Sequence, residues 1–349
     1  MKNLTGIALL AAALLSVAGA GRGRAEQPEP REGSAYDVIP RQAQAIERGL
    51  AWLARNQSPD GSWGTEGGQG EFHMAMTGLA GLAFLSAGHV PERGPYGARL
   101  DKAIRFVLRH QQRDGLITTP RDSQSMYGHG FSMTFLAEAY GMDMGGELNE
   151  KIKECLTLAV KLTDRAQSAW GGWYYSPNAD SDEGSVTITQ VQALRACANV
   201  GIPVPPKTMR SALSYIHKSQ NPDGGIRYTA RSSGASTLAL SAAGCELLMM
   251  AGEYDTAQTK RVIEYLKRNL NPNVTVGYHD FYTNFYGAQA MIQIGGPEFE
   301  RYYTGLRRRL LGAQGAQGAW SGDVGSTYCT SIAVMILALP YTYLPIFQR

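Results

Sequence analysis

The chain has little cysteine, almost no surplus of charge and no apolar run long enough to cross a membrane. Each lack narrows what it can be. Its four cysteines, Cys155, Cys197, Cys245 and Cys329, form no Cys-x-x-Cys pair, so the spacing of a cysteine metal cluster is missing. Each falls in or at the start of an apolar helical run and reads as a small buried side chain. A net charge of +3 without any basic run interleaved with aromatics gives no footprint for nucleic acid. The most apolar stretch, SIAVMILALPYTYLPIF near the C-terminus, is interrupted by Pro340 and Pro345 and reads as core rather than as a membrane span.

The N-terminus reads as a secretion signal. Lys2 gives a positive start, Leu4 to Val17 is mostly apolar, and Ala18-Gly19-Ala20 is a small-x-small cleavage pattern, with a second candidate cut after Ala25. The apolar run is shorter than the roughly 20 residues that a spanning helix needs, so cleavage is expected. No cysteine adjoins either cut, which removes a lipid anchor there. The chain therefore divides into a signal peptide at 1–25, a flexible leader at 26–40 and one domain at 41–349. The protein is expected to be exported, periplasmic or extracellular, without a stable transmembrane segment.

What is present is a repeat. The stretch QSPDGSWG, Gln57 to Gly64, returns as QRDG from Gln112, QSAWGGWYY from Gln167, QNPDGGIRY from Gln220, a degenerate NPNVTVGY from Asn271 and QGAW from Gln317. The glycines recur roughly every 40 to 57 residues, the spacing of an array built from one supersecondary unit. Trp63, Trp170, Trp173 and Trp320 lie in these joints, and Trp52 is the other tryptophan. A residue type concentrated in one repeated element points to packing. Asp-Gly or Gly-Gly supplies the turn, Gln reaches backbone groups left open at a helix end, and the ring bridges neighbouring units.

Between the joints, amphipathic runs near 41–57, 97–112, 148–167, 205–220, 255–270 and 297–313 alternate with more apolar ones. The apolar runs are near 73–88, 128–141, 186–200, 235–251, 281–294 and 327–339. A helix apolar nearly all round is buried on both sides. The pattern predicts an all-α, single-domain (α/α)6 toroid of six helical hairpins, with inner helices around a centre and outer helices facing water.

These joints resemble the QW motif of squalene-hopene and related triterpene cyclases, whose toroid the protein prenyltransferase β subunits share. The resemblance covers nearly all of the chain after residue 40 and is weakest in the fifth repeat. MYGHGFSMTFLAEAYG and the ending YTYLPIFQR are similar to the exported bacterial prenyltransferase and squalene oxidase repeat proteins. The resemblance implies the fold and leaves the chemistry open. The cyclases' acid motif, Asp-x-Asp-Asp-Thr, is matched only in part by Asp180-Ser181-Asp182-Glu183, since Glu183 replaces the last Asp and Gly184 the Thr. Nor does the prenyltransferase zinc site carry over, because Thr327 stands where Asp should precede Cys329. No metal or cofactor is expected.

The starts of the inner helices should open on one end of the ring and collect polar residues there. Candidate catalytic groups are Asp182, Glu183, His129, His279 and Asp280, since carboxyls and imidazoles at one mouth suit acid–base work. Candidate cavity residues are His73, Tyr127, Phe131, Tyr282 and Tyr328. Met74, Met76, Met133, Phe135, Phe285 and Tyr286 give the wall an adaptable apolar character. The first expectation is a toroid binding an apolar or isoprenoid-like ligand, without the intact cyclase acid motif. The alternatives are a non-catalytic platform for an envelope protein partner and a polysaccharide-acting enzyme. The last needs two opposed carboxyls about 5 to 10 Å apart, for which Asp182 and Asp280 are the nominees.

Overall fold

The computed structural model describes residues 33–65, 71–142 and 146–348. The expected signal peptide and the first part of the leader lie outside these residues. Among the described residues there are twelve α-helices, and the extended segments form only isolated bridges.

The outer helices are α1 (Pro40–Arg55), α3 (Gly97–Arg109), α5 (Gly146–Arg165), α7 (Pro206–Ser219), α9 (Ala257–Asn269) and α11 (Gly296–Ala313). Each buries one stripe; in α3 this is Leu100, Ala103, Ile104, Phe106 and Val107. The inner helices are α2 (His73–Ser86), α4 (Ser125–Gly141), α6 (Gly184–Asn199), α8 (Leu238–Met250), α10 (Asp280–Ile294) and α12 (Ser326–Ala338). They are buried almost all round, Met74 through Ser86 without a break in α2. Each inner helix packs on the next, and α12 packs back on α2, so the ring closes as the (α/α)6 toroid that the repeat predicts. Small residues let the inner helices approach. A Cβ on Gly78 of α2 would lie 2.8 Å from the backbone carbonyl carbon of Phe131 on α4.

The joints hold the ring shut. In each of five, a glutamine amide at the end of an outer helix donates to the turn carbonyl four residues on and to a carbonyl of the next outer helix. Gln57 reaches Arg99 at 2.9 Å, Gln167 reaches Thr208 at 2.9 Å and Gln220 reaches Gln258 at 2.9 Å. In the second and sixth joints the clamping residues are Gln111 and Gln314, rather than the Gln112 and Gln317 from which the motif was read. Gln111 reaches Cys155 at 2.7 Å, and Gln314 reaches Ala45 at 2.8 Å, which ties the last joint to α1. The register is set by the glycine four residues later, which must lie in the left-handed region. Gly171 has φ 99°, and a Cβ there would stand 2.1 Å from the Ser211 carbonyl oxygen on α7. Gly61, Gly115, Gly224 and Gly318 repeat the turn.

Trp63, Trp173 and Trp320 are fully buried. Their indole N–H groups donate to Leu53, Thr163 and Leu310 at 2.9, 2.7 and 2.8 Å, each ten residues back. Trp170 departs from the packing role expected of it: it is 44% exposed, and Lys218 lies over its ring. The four cysteines are buried and unpaired.

Two terminal segments fix the ends. The described part of the expected leader, from Gly33, is held by hydrogen bonds: the buried Arg307 of α11 donates to the carbonyls of Gly33, Ser34 and Asp37 at 3.0, 3.3 and 3.2 Å. After α12 the tail turns across the far end of the inner ring. Leu344, Ile346 and Phe347 are buried, and the Phe347 ring meets Phe285 edge-on at 5.9 Å. Among the described residues no helix is long and apolar enough to cross a membrane.

Candidate functional site

At the end where the inner helices start lies a cavity of about 330 Å³. Ala75, Met76 and Leu79 of α2 and Phe131 of α4 give it apolar walls. Tyr127 of α4, Tyr282 of α10 and Tyr328 of α12 add phenol rings. Tyr175, Gln124, Tyr278 and His279 complete the rim. Helical spacing explains the α2 wall, since Ala75, Met76 and Leu79 share one face at i, i+1 and i+4.

Of the expected cavity residues, Tyr127, Phe131, Tyr282 and Tyr328 line this space and His73 does not. His73 starts α2 with Nδ1 3.7 Å from the Glu71 carboxylate, at the side of the mouth. Met76 is in the wall. Met74, Met133, Phe135, Phe285 and Tyr286 are buried in the packed core instead.

The expected catalytic residues separate. His279 is exposed on the rim. His129 is not in the cavity; it is part of a joint. Its Nδ1 accepts the Ile117 amide at 3.1 Å, and its Nε2 pairs with Thr163 Oγ1 at 3.0 Å. Thr77, Thr187 and Thr330 accept the corresponding Trp63, Trp173 and Trp320 amides through Oγ1, and Ser241 does so for Ile226. His129 is thus the second joint's version of a hydroxyl, and complete burial pushes its pKa down to about 4.

The carboxylates also have local duties. Asp182 accepts from Ser168 at 2.9 Å and Thr229 at 3.1 Å and pairs with Arg231 at 3.1 Å. Asp280 pairs with Arg309 at 2.8 Å and accepts from the Val276 amide at 3.0 Å and Asn284 at 2.9 Å. Neither lines the cavity, so the two do not face each other across it. Glu183 caps α6, accepting the Ser185 and Val186 amides at 2.9 and 2.5 Å. Burial raises its pKa, and those donors oppose the rise.

Glu183 is nonetheless connected to the cavity. Ser185 Oγ donates to its carboxylate at 2.7 Å, and the Tyr127 hydroxyl bonds Ser185 Oγ in turn. Burial and the Glu183 charge hold the Tyr127 hydroxyl well above the usual tyrosine range. Tyr282 is raised too, by burial and by the neighbouring tyrosines and Glu183. Its hydroxyl is buried without a hydrogen-bond partner. Both phenols therefore stay protonated donors at neutral pH. Among the described residues no group of three or more His, Cys, Asp or Glu is placed to hold a metal ion.

Sequence reasoning missed Tyr175, Tyr278, Gln124 and the Ser185 link. The signal for Tyr175 was present, since it stands in QSAWGGWYY two residues after the packing Trp173. It also missed Glu246 of α8, a buried carboxyl that accepts from Gln293 at 2.7 Å and that burial pushes up to about 8.

No family model matches the chain. It is 27% identical over 183 residues to the drimenyl diphosphate synthase of Streptomyces showdoensis, a match covering 52% of this chain and 32% of that protein. The match thus spans about a third of that relative's length. Among solved structures, the type II terpene cyclase MstE from Scytonema superposes with a TM-score of 0.61 at 12% identity, covering 87% of this chain and 99% of that one. The GH76 α-mannanase BT2949 of Bacteroides thetaiotaomicron gives 0.63 at 8% identity, covering 86% and 96%. The architecture and the mouth cavity define an α/α toroid. Within that class its fold is similar both to the terpene cyclase and to the mannanase.

Proposed function

We propose that the toroid binds an apolar, isoprenoid-like ligand in the cavity at the start of the inner helices. The observation that carries the reading is the cavity itself. Its volume is about 330 Å³, with an apolar wall of Ala75, Met76, Leu79 and Phe131 beneath a rim of phenols. That composition and size suit one small, largely apolar molecule held by a few oriented polar groups. Structures of MstE contain merosterolic acid A and geranylgeranyl dihydroxybenzoate, and the Streptomyces relative is named for an isoprenoid product. These names support the same class of ligand here.

The reading is one of binding. Asp182, in the partial acid motif, is engaged by Ser168, Thr229 and Arg231 and lies outside the cavity lining. The polysaccharide alternative needs opposed carboxyls in a groove, and Asp182 and Asp280 are each taken up by an arginine of their own. We infer export from Lys2, the apolar Leu4–Val17 run and the Ala18-Gly19-Ala20 pattern. The test is native mass spectrometry of protein purified from an exporting host, followed by lipid analysis of what is released. A stoichiometric prenyl lipid is the expected result. Finding a bound oligosaccharide and no lipid would overturn the reading.

A further inference from the structure

The start of a helix carries free N–H groups and the positive end of its dipole, which makes it a natural seat for phosphate. A ring of inner helices opening on one mouth would therefore suit an isoprenoid diphosphate. In this chain three of the six seats carry one of its own carboxylates, while α8 is capped by the Thr237 hydroxyl and the starts of α4 and α12 carry no side-chain cap. Asp122 Oδ1 accepts the Met74 amide of α2 at 3.2 Å. Glu183 takes the first amides of α6. Asp280 begins α10. Asp122 and Glu183 take helix amides that a phosphate would otherwise use, and Asp280 is paired with Arg309.

Counter-charge is missing as well. No lysine or arginine is among the described residues lining the cavity. Arginines near these helix starts are engaged by carboxylates: Arg121 with Glu71 at 3.8 Å, Arg231 with Asp182 at 3.1 Å and Arg309 with Asp280 at 2.8 Å. What the cavity offers is neutral. Tyr127, Tyr175, Tyr278, Tyr282 and Tyr328 line it together with the Gln124 amide. The Tyr282 hydroxyl has no partner within the protein, and a buried donor left unpaired is destabilising until something accepts from it.

We propose that the cavity selects an isoprenoid whose polar end is an uncharged oxygen, an alcohol or a carbonyl, that accepts from the Tyr282 hydroxyl, and that it excludes the diphosphate. The inference rests on the cavity reading above and specifies its head group. A multiply charged diphosphate would lose its hydration with no cation among the described lining residues to replace it. An uncharged oxygen loses little and satisfies the orphaned phenol.

The experiment is a calorimetric titration of the whole protein with farnesol, farnesyl diphosphate and the hydrocarbon farnesene, in the wild type and in Tyr282→Phe. The expected result is farnesol binding at least ten-fold tighter than farnesyl diphosphate. Tyr282→Phe should weaken farnesol several-fold and leave farnesene unchanged. Equal or tighter binding of the diphosphate overturns the head-group inference while the cavity reading stands. Equal loss of farnesol and farnesene in Tyr282→Phe removes Tyr282 as the head-group donor. Failure of all three ligands to bind defeats the cavity reading itself. Tyr328→Arg supplies the missing cation and is expected to raise diphosphate affinity relative to farnesol; no change in that ratio would contradict the electrostatic argument.

Discussion

Five joints of this ring are nearly copies of one another, and the fifth in chain order is not. In the regular five, a glutamine clamps the next outer helix and a left-handed glycine lies against its backbone. In the irregular one, Leu270 stands at the glutamine position and Val274, 54% exposed, at the glycine position. The stretch then makes a short 3-10 turn, Gly277–His279, that brings Tyr278 and His279 to the cavity rim. Repetition here closes the ring, and the departure from it furnishes the mouth. Ring closure and the shaping of the cavity rim are thereby divided between variants of the same joint.

The largest effect that would break this comparison is in a regular turn. Gly171→Ala puts a Cβ 2.1 Å from the Ser211 carbonyl oxygen at φ 99° and should cost about 3 kcal/mol in urea denaturation. Val274→Gly in the irregular joint should cost less than about 1 kcal/mol. Similar losses at both positions would erase the distinction. Next, Gln314→Ala removes the hydrogen bond that ties the last joint to Ala45 of α1 and the one that closes its own turn on Gly318 and should destabilise by about 2 kcal/mol in the same assay.

A third test uses pH. His129 has a folded-state pKa of about 4 against an ordinary 6.5, so the unfolded chain binds more protons between those values. Its contribution is fully present above about 6.5 and is lost as pH falls toward 4. Thermal melting of the wild type should drop across that window by more than that of His129→Thr, which installs the hydroxyl used in joints one, three and six. Parallel pH profiles would show that His129 is not the buried neutral acceptor described here. The smallest stability effect belongs to the irregular joint. Tyr278→Ala and His279→Ala should move unfolding by no more than about 0.5 kcal/mol while weakening prenol binding several-fold by calorimetry.

The toroid was legible because it is written in periodicity. Alternating amphipathic and apolar runs predicted every helix within a few residues, and glycine spacing predicted the joints. The slip from Gln111 to Gln112 and from Gln314 to Gln317 arose because several glutamines crowd those turns, and only the glycine's contact with the next helix selects one. The site was legible in part. Tyr127, Phe131, Tyr282 and Tyr328 followed from helical position, since a residue's face on an inner helix fixes whether it sees the centre. His129, Asp182 and Asp280 did not, because a polar residue at a helix start can turn toward the mouth or back into the joint. That choice depends on partners distant in sequence, such as Thr163, Arg231 and Arg309. Glu183 lies between the cases, capping its own helix while reaching the cavity through Ser185 and Tyr127.

The central claim is that the mouth cavity is a ligand site rather than a packing defect. Val324 lines it from the loop before α12, away from every glutamine clamp. Titrating farnesol into the wild type and into Val324→Trp, with melting curves to confirm that both are folded, tests the claim most directly. Saturable binding at one ligand per chain is expected in the wild type, with at least a ten-fold loss in the filled variant. Equal affinity in the two folded proteins would contradict the claim.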